Sequence, residues 1–241
     1  MTMIDSNLQG VHARIVQACL AAGRAPDAVA LLAVSKTFGP EAVHEAARAG
    51  QRRFGENYIQ EAVDKMAQVA ALGLREPLEW HCIGPVQSNK TRLVAGHFDW
   101  VHTLDRLKIA ERLSDQRPAD MPALQVCIQV NVDGGSTKSG VGPEHALALA
   151  QAVAQLPRLR LRGVMSIPDE VPDRAAQLAV HLRVREVFDR LRSQGGAGFE
   201  AFDTLSLGMT ADLETAIAAG STMVRVGSGI FGARHYGAAQ G

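Results

Sequence analysis

Cysteine is scarce in this sequence and scattered: Cys19, Cys82 and Cys127 are the full set. The number is odd, and no C-x-x-C or Cys/His spacing of the metal-site kind occurs, so a disulfide framework and a zinc site are both excluded as expectations. Three reduced, buried thiols of a cytoplasmic protein are expected instead. Long apolar runs are also missing. The longest, residues 28–34, is far short of the ~20 residues that span a bilayer, so no membrane association is expected. The opening "MTMIDSNLQG" has neither a basic segment nor an apolar core of the secretory kind. Charge of one sign is not in excess: 25 Lys and Arg stand against 25 Asp and Glu, which gives no broad positive field for nucleic acid. Neither G-x-G-x-x-G nor G-x-x-x-x-G-K-[ST] follows the first predicted strand, which removes the common nucleotide-binding signatures. No linker divides the chain, and 241 residues suit one large domain covering 1–241.

What is present is an alternation. Ile4, Leu8, Val11 and Ile15 recur at helical spacing and predict an opening helix over about 4–22. Predicted strands follow at 29–35, 52–57, 79–84, 100–104, 124–132, 161–167, 203–208 and 221–227. Predicted helices separate them at 40–49, 58–72, 89–95, 106–114, 143–156, 173–193 and 212–219, with a short turn or helix from 228. Continuous apolar strands alternating with helices demand a parallel sheet covered on its faces. The fold expected is α/β, a closed (β/α)8 TIM barrel. An open doubly wound sheet is the alternative.

Barrels place their chemistry at the C-terminal ends of the strands. Those ends present Lys36, Asn57, His81 with Gly84, Met165-Ser166, the "SLGM" of strand seven and the "RVGSG" of strand eight. Ser206, Gly227 and Ser228 lie where barrel proteins often cradle phosphate, with glycines that let backbone N–H groups approach an anion. No lysine lies in either segment, so hydroxyls and dipoles would do the holding. Ordinary tight turns read equally well. Arg225 shares the inward face of its strand with Gly227, and a buried guanidinium needs either an ion-pair partner or a ligand acceptor. Lys36 alone reads as a solvated strand end. Together, an amine, an anion cradle and an arginine at one mouth meet the needs of pyridoxal 5'-phosphate: a Schiff base on the lysine, a held phosphate, and a partner for the pyridine nitrogen. Asn57 either donates to the ring hydroxyl or caps the following helix. His81 reads as a satisfied core histidine.

The stretches "AVSKTF", "FGENYIQEAVDKM", "WHCIGPVQSNK", "VHTLDR", "KSGV", "LRGVMSIP" and "LSLGMTADLETAIAAGSTMVRVGSGIFGAR" resemble the proline-synthetase co-transcribed (YggS) family of pyridoxal phosphate homeostasis proteins over residues 29–234. The resemblance implies a barrel like the N-terminal domain of alanine racemase, of fold type III among pyridoxal phosphate proteins. It implies an aldimine on Lys36, phosphate contacts from Ser206, Gly227 and Ser228, and a pyridine contact from Arg225. Cys82 stands where an aromatic is common in the family, and Ser228 where threonine is frequent. The resemblance further implies a role in intracellular vitamin B6 and amino-acid homeostasis, with apo-enzymes that use pyridoxal phosphate as recipients.

Efficient catalysis is not expected. A permanently protonated arginine leaves the pyridine nitrogen facing it unprotonated and weakens the ring as an electron sink. The tyrosines are Tyr58 and Tyr236, and only "HYGAAQG" follows the barrel, so no second domain is expected to bring a base. A minimal racemase or lyase on amino acids is the alternative. A barrel enzyme acting on phosphate substrates would leave the Lys36–Arg225 pairing unexplained. Lys138, in "DGGSTKSG" after strand five, is expected to assist uptake or release of the cofactor, or else to be a surface lysine.

Overall fold

The computed structural model describes residues 2–134, 139–169, 171–194 and 196–232. Eight strands, β1 (Ala30–Val34), β2 (Arg53–Glu56), β3 (Glu79–Cys82), β4 (Trp100–Leu104), β5 (Leu124–Gln129), β6 (Leu159–Met165), β7 (Thr204–Ser206) and β8 (Met223–Val226), pair in that order into a closed barrel. All pairings are parallel, and β1 meets β8 from Ala30↔Met223 to Ala33↔Val226. The (β/α)8 expectation holds and the open sheet does not.

The helices α1 (Met3–Ala21), α2 (Pro40–Arg48), α3 (Ile59–Ala71), α4 (Thr91–His97), α5 (Leu107–Gln116), α6 (Pro143–Ala154), α7 (Arg174–Gln194), α8 (Leu213–Ala218) and α9 (Ser228–Phe231) alternate with the strands. Their starts follow local chemistry. Proline opens α2 and α6, where a missing N–H costs no hydrogen bond. The opening helix packs on α8, α9 and α2, burying Leu8, Val11 and Ile15. Asn7 Nδ2 donates to the Ile230 carbonyl at 2.9 Å, and Arg14 pairs with Glu214 at 2.9 Å, so α1 braces the short helix after β8. No helix among the described residues is long and apolar enough to cross a membrane.

The strands divide their side chains by the period of two. Leu31 and Ala33 of β1 join the large core under the helices, whereas Leu32 and Val34 face the barrel interior with Ile83 and Met223. Trp100, Cys127 and Met165 form a second small interior group. Between these two groups the interior is polar: His81, His102, Ser206 and Arg225 are all buried. Barrel interiors of this fold are ordinarily filled by branched apolar residues.

Most strands are shorter than expected by one or two residues at an end, and β5 and β6 depart from their limits for identifiable reasons. β5 ends at Gln129 and not at 132, because the Asn131 side chain accepts from the N–H groups of Asp133 and Gly134, both at 3.2 Å, and turns the chain. β6 starts two residues earlier than 161, at Leu159, with Arg160 turned to solvent and Arg162 laid over the Trp100 ring at 4.6 Å while pairing with Asp203. Arginines at a strand start read as a polar break; here Arg162 lies along the Trp100 ring.

A Cβ on Gly163 would sit on the carbonyl oxygen of Thr204, in the neighbouring strand. Gly163→Ala is expected to cost at least about 2 kcal/mol, since the atom met is backbone. Gly10, mid-helix in α1, has nothing within 4 Å of the same position, so Gly10→Ala is expected to stabilise by about 0.5–1 kcal/mol. Urea unfolding midpoints of the two variants check both signs.

Candidate functional site

Val34 ends β1, and the next residues are held from beneath. Ser35 is fully buried; its N–H donates to the Gly55 carbonyl at 3.0 Å and its hydroxyl to Glu56 Oε1 at 2.6 Å. Lys65, on α3, donates to the Ser35 carbonyl at 2.9 Å and to Glu56 Oε1 at 2.8 Å. Glu56 is itself without exposure, and burial raises its pKa against the opposing pull of Lys65 and Ser35. Glu61, the second carboxylate beside Lys65 at 3.3 Å, accepts the Thr37 N–H. Thr37 has φ +70°, a left-handed conformation that a β-branched residue adopts only under constraint. Lys36, between Ser35 and Thr37, is thus carried on a backbone fixed on both sides, and its half-buried side chain lines a cavity at the C-terminal mouth.

That cavity, about 360 Å³, lies within the range of small-molecule sites. Lys36, Asn57, Arg225, Gly227 and Ser228 all line it, which brings together five of the six residues named from the sequence. Val34, Phe38, Ile83 and Ile167 supply apolar walls, and residues 209–211 close one side. Asp212 Oδ1 pins that last segment by accepting the Met209 N–H at 2.6 Å. Phe38 stacks on Phe231 at 5.0 Å, tying the loop after β1 to α9.

Arg225 is buried, and among the described residues it makes no ion pair. Its Nη1 donates to the Ser206 carbonyl at 2.8 Å and hydroxyl at 2.9 Å, and its Nη2 to the Ser166 carbonyl at 2.9 Å. Burial pulls its pKa down to about 10, against the upward influence of Asp212 and Cys127, so it is a cation at neutral pH. A guanidinium has five N–H donors. These bonds use both of Nη1 and one of Nη2, leaving the Nε–H and one Nη2–H with no acceptor among the described residues.

Asn57 does not cap α3. Tyr58 occupies the cap position and makes no side-chain cap bond, while Asn57 Oδ1 is buried with no partner among the described residues. Gly84 permits this arrangement, because a Cβ there would overlap the Asn57 backbone. Gly227 and Ser228 open α9 at the rim, where the first N–H groups of a helix have no acceptor of their own.

Ser206 is the exception. The sequence assigns it to the phosphate cradle with Gly227 and Ser228, but it is fully buried and does not line the cavity. The stagger of the barrel is the reason. Ser206 pairs with Met223, two residues below Arg225 and four below Gly227. Its hydroxyl meets Arg225 on one side and His102 Nδ1, at 3.0 Å, on the other. His81 is buried with both ring nitrogens engaged, at 2.8 Å to His102 Nε2 and 2.8 Å to Glu79 Oε1. Tyr58 is 56% exposed and does not line the cavity. Lys138 and Tyr236 lie outside the described residues.

The residues missed from the sequence are Glu56, Lys65, His102 and the walls at Ile83, Ile167 and Met209. Lys65 carries a readable signal: it falls on the buried face of α3 with Ile59, Ala62 and Val69, a place where lysine is rare unless paired.

A larger cavity, about 840 Å³, opens at the N-terminal ends of the strands, lined among others by Arg53, Glu79, Arg117 and Arg162. All its arginines but the exposed Arg160 are engaged. Arg53 pairs with Glu79 at 3.1 Å, Arg162 with Asp203 at 2.8 Å, and Arg117 donates to three carbonyls. At the opposite mouth, by contrast, two Arg225 N–H groups and Asn57 Oδ1 have no hydrogen-bond partner among the described residues.

Residues 13–235 match the family described as "Alanine racemase, N-terminal domain". A protein of Pseudomonas aeruginosa named pyridoxal phosphate homeostasis protein is 56% identical over 238 residues, covering 99% of both chains. One of the same name from Vibrio cholerae is 53% identical, covering 98% of each. The solved structure of PipY of Synechococcus elongatus, with pyridoxal phosphate bound, is 34% identical with a TM-score of 0.81, covering 95% of this chain and 100% of that one. With a barrel closed by eight parallel strands and a mouth carrying Lys36 and Arg225, the chain belongs to the alanine racemase N-terminal domain family.

Proposed function

We propose that this chain binds pyridoxal 5'-phosphate at the C-terminal mouth of the barrel and serves in its homeostasis, without efficient turnover of amino acids. One observation carries the reading: Lys36, Asn57, Arg225, Gly227 and Ser228 converge on one cavity in which, among the described residues, Asn57 Oδ1 and two Arg225 N–H groups have no hydrogen-bond partner. The names of the homologues and the pyridoxal phosphate in PipY support it. When bound, the cofactor supplies an aldehyde that condenses with an amine and a ring that can withdraw electrons.

The chain's own residues divide the work. Lys36 provides the amine from a backbone that the Ser35–Glu56–Lys65 group immobilises. The N–H groups of Gly227 and Ser228, with the Ser228 hydroxyl, face the phosphate. Arg225 donates to the ring nitrogen and, as a cation, does not give up its proton there. Asn57 Oδ1 accepts from the ring hydroxyl. Ile83 and Ile167 exclude water from the ring. Tyr58 points to solvent, which supports storage or delivery over racemisation. The setting read from three free, buried thiols is cytoplasmic, and the recipients are apo-enzymes that use the same cofactor.

Borohydride reduction of the loaded protein is expected to fix a pyridoxyl group on Lys36. A peptide map placing it on another lysine rejects the assignment. Ser228→Asp is expected to remove the preference for pyridoxal phosphate over pyridoxal, a loss on the order of tenfold or more for a charged hydrogen bond replaced by repulsion, measured by equilibrium titration with each. Solvent-deuterium exchange at the α-carbon of L- and D-amino acids is expected to be slow or absent. Exchange with inversion at enzymatic rates, lost in Lys36→Ala, makes the protein a racemase.

A further inference from the structure

Five buried or half-buried groups on four strands form one unbroken line through the barrel. Glu79 opens β3 at the N-terminal end, where it lines the larger cavity. From it the line runs through His81 at 2.8 Å, His102 at 2.8 Å, Ser206 at 3.0 Å and Arg225 at 2.9 Å, ending at the cofactor mouth.

The direction of every hydrogen bond follows from the two ends. A guanidinium only donates, and an ionised carboxylate only accepts. Burial would raise Glu79, but the hydrogen bond from His81 and the Arg53 cation pull it below its ordinary value, so it is ionised. Burial keeps the His102 imidazole well below its ordinary pKa, and it lowers His81 despite Glu79. Both rings are therefore neutral. Ser206 Oγ accepts from Arg225 and must pass its own proton toward His102 Nδ1. His102 then carries its hydrogen on Nε2 and donates to His81 Nδ1. His81 carries its hydrogen on Nε2 and donates to Glu79. No donor faces a donor, and the reverse polarity is closed at both ends. Trp100 stacks on His81 at 5.1 Å with 12° between planes, which fixes the ring.

Such a line is a poor way to stabilise a barrel, since apolar residues of similar volume often do as well or better than buried polar groups. We propose that Glu79, His81, His102 and Ser206 are positioning residues that hold Arg225 in place and polarised as the donor at the cofactor mouth, and that couple its donor strength to the carboxylate at the far end of the barrel. The proposal rests on the pyridoxal phosphate reading for what Arg225 meets, but not for the relay itself.

The test is ¹⁵N NMR of the full chain, free and loaded with pyridoxal phosphate, on wild type, Glu79→Gln, Ser206→Ala and Ser206→Thr. In the free wild type, His81 and His102 are expected as neutral Nε2–H tautomers that do not titrate between about pH 6 and 8. Glu79→Gln is expected to move the Arg225 side-chain resonances although three residues intervene, and to shift the visible absorption maximum of the loaded protein. Ser206→Ala is expected to do the same and to weaken cofactor binding about tenfold, with Ser206→Thr restoring the wild-type values. A purely space-filling role lowers the melting temperature and leaves the Arg225 resonances and absorption maximum in place, which overturns the proposal. So does an Nδ1–H tautomer or a cation at either histidine. Should Glu79→Gln not fold, the Ser206 pair decides by the presence or absence of rescue. Should the wild type take no pyridoxal phosphate, the function reading fails, and the Arg225 resonances of the free protein still decide the relay.

Discussion

A guanidinium inside a barrel with no ion pair among the described residues is the constraint around which the rest of this structure is arranged. Arg225 keeps its charge by bonding two carbonyls and one hydroxyl, groups that solvate without neutralising. A direct ion pair would tie up the donors and cancel the field at the mouth. Carbonyl partners instead demand that β6, β7 and β8 end at compatible heights, because the acceptors are the backbone of Ser166 and Ser206. The stagger of the closed barrel supplies those heights, with Met165↔Ser206 and Ser206↔Met223 in register.

The opposite side of the mouth uses a different device. Around Lys36 the fixed element is backbone, and it is held by a buried ion pair, Glu56 with Lys65, that also engages both polar groups of Ser35. The same cluster reaches Thr37 through Glu61 and stabilises its left-handed conformation. An isolated buried ion pair contributes little to stability by itself. Here it sets the direction in which one side chain leaves the strand. The two sides meet through Phe38 on Phe231, which packs the loop after β1 against the helix after β8, backed by α1.

Much of this was legible in the sequence. The eight strands follow from apolar runs bounded by turn residues, and Lys36, Asn57, Gly227 and Ser228 follow from reading what stands at their ends. Arg225 followed from its two-residue spacing to Gly227. Resemblance added the assignment of roles. The error at Ser206 shows the limit: period two gives the face but not the depth. For Asn57 the sequence leaves a cofactor contact and a helix cap open, because both roles occur at the same position after a strand, and only the helix start at Ile59 removes the cap.

By itself, the sequence determined the order of elements, the parallel pairing and the side of each strand that faces inward, because these depend on local periodicity and on turns a few residues long. It determined which residues crown the strands. The tertiary structure alone decided which inward residues share a level. Glu79, His81, His102, Ser206 and Arg225 come from four strands separated by up to 146 positions, from 79 to 225. Their contact depends on the cumulative stagger around the closed barrel. No pattern within a strand encodes that quantity, since each neighbouring pair adds its own shift and closure must satisfy all eight together.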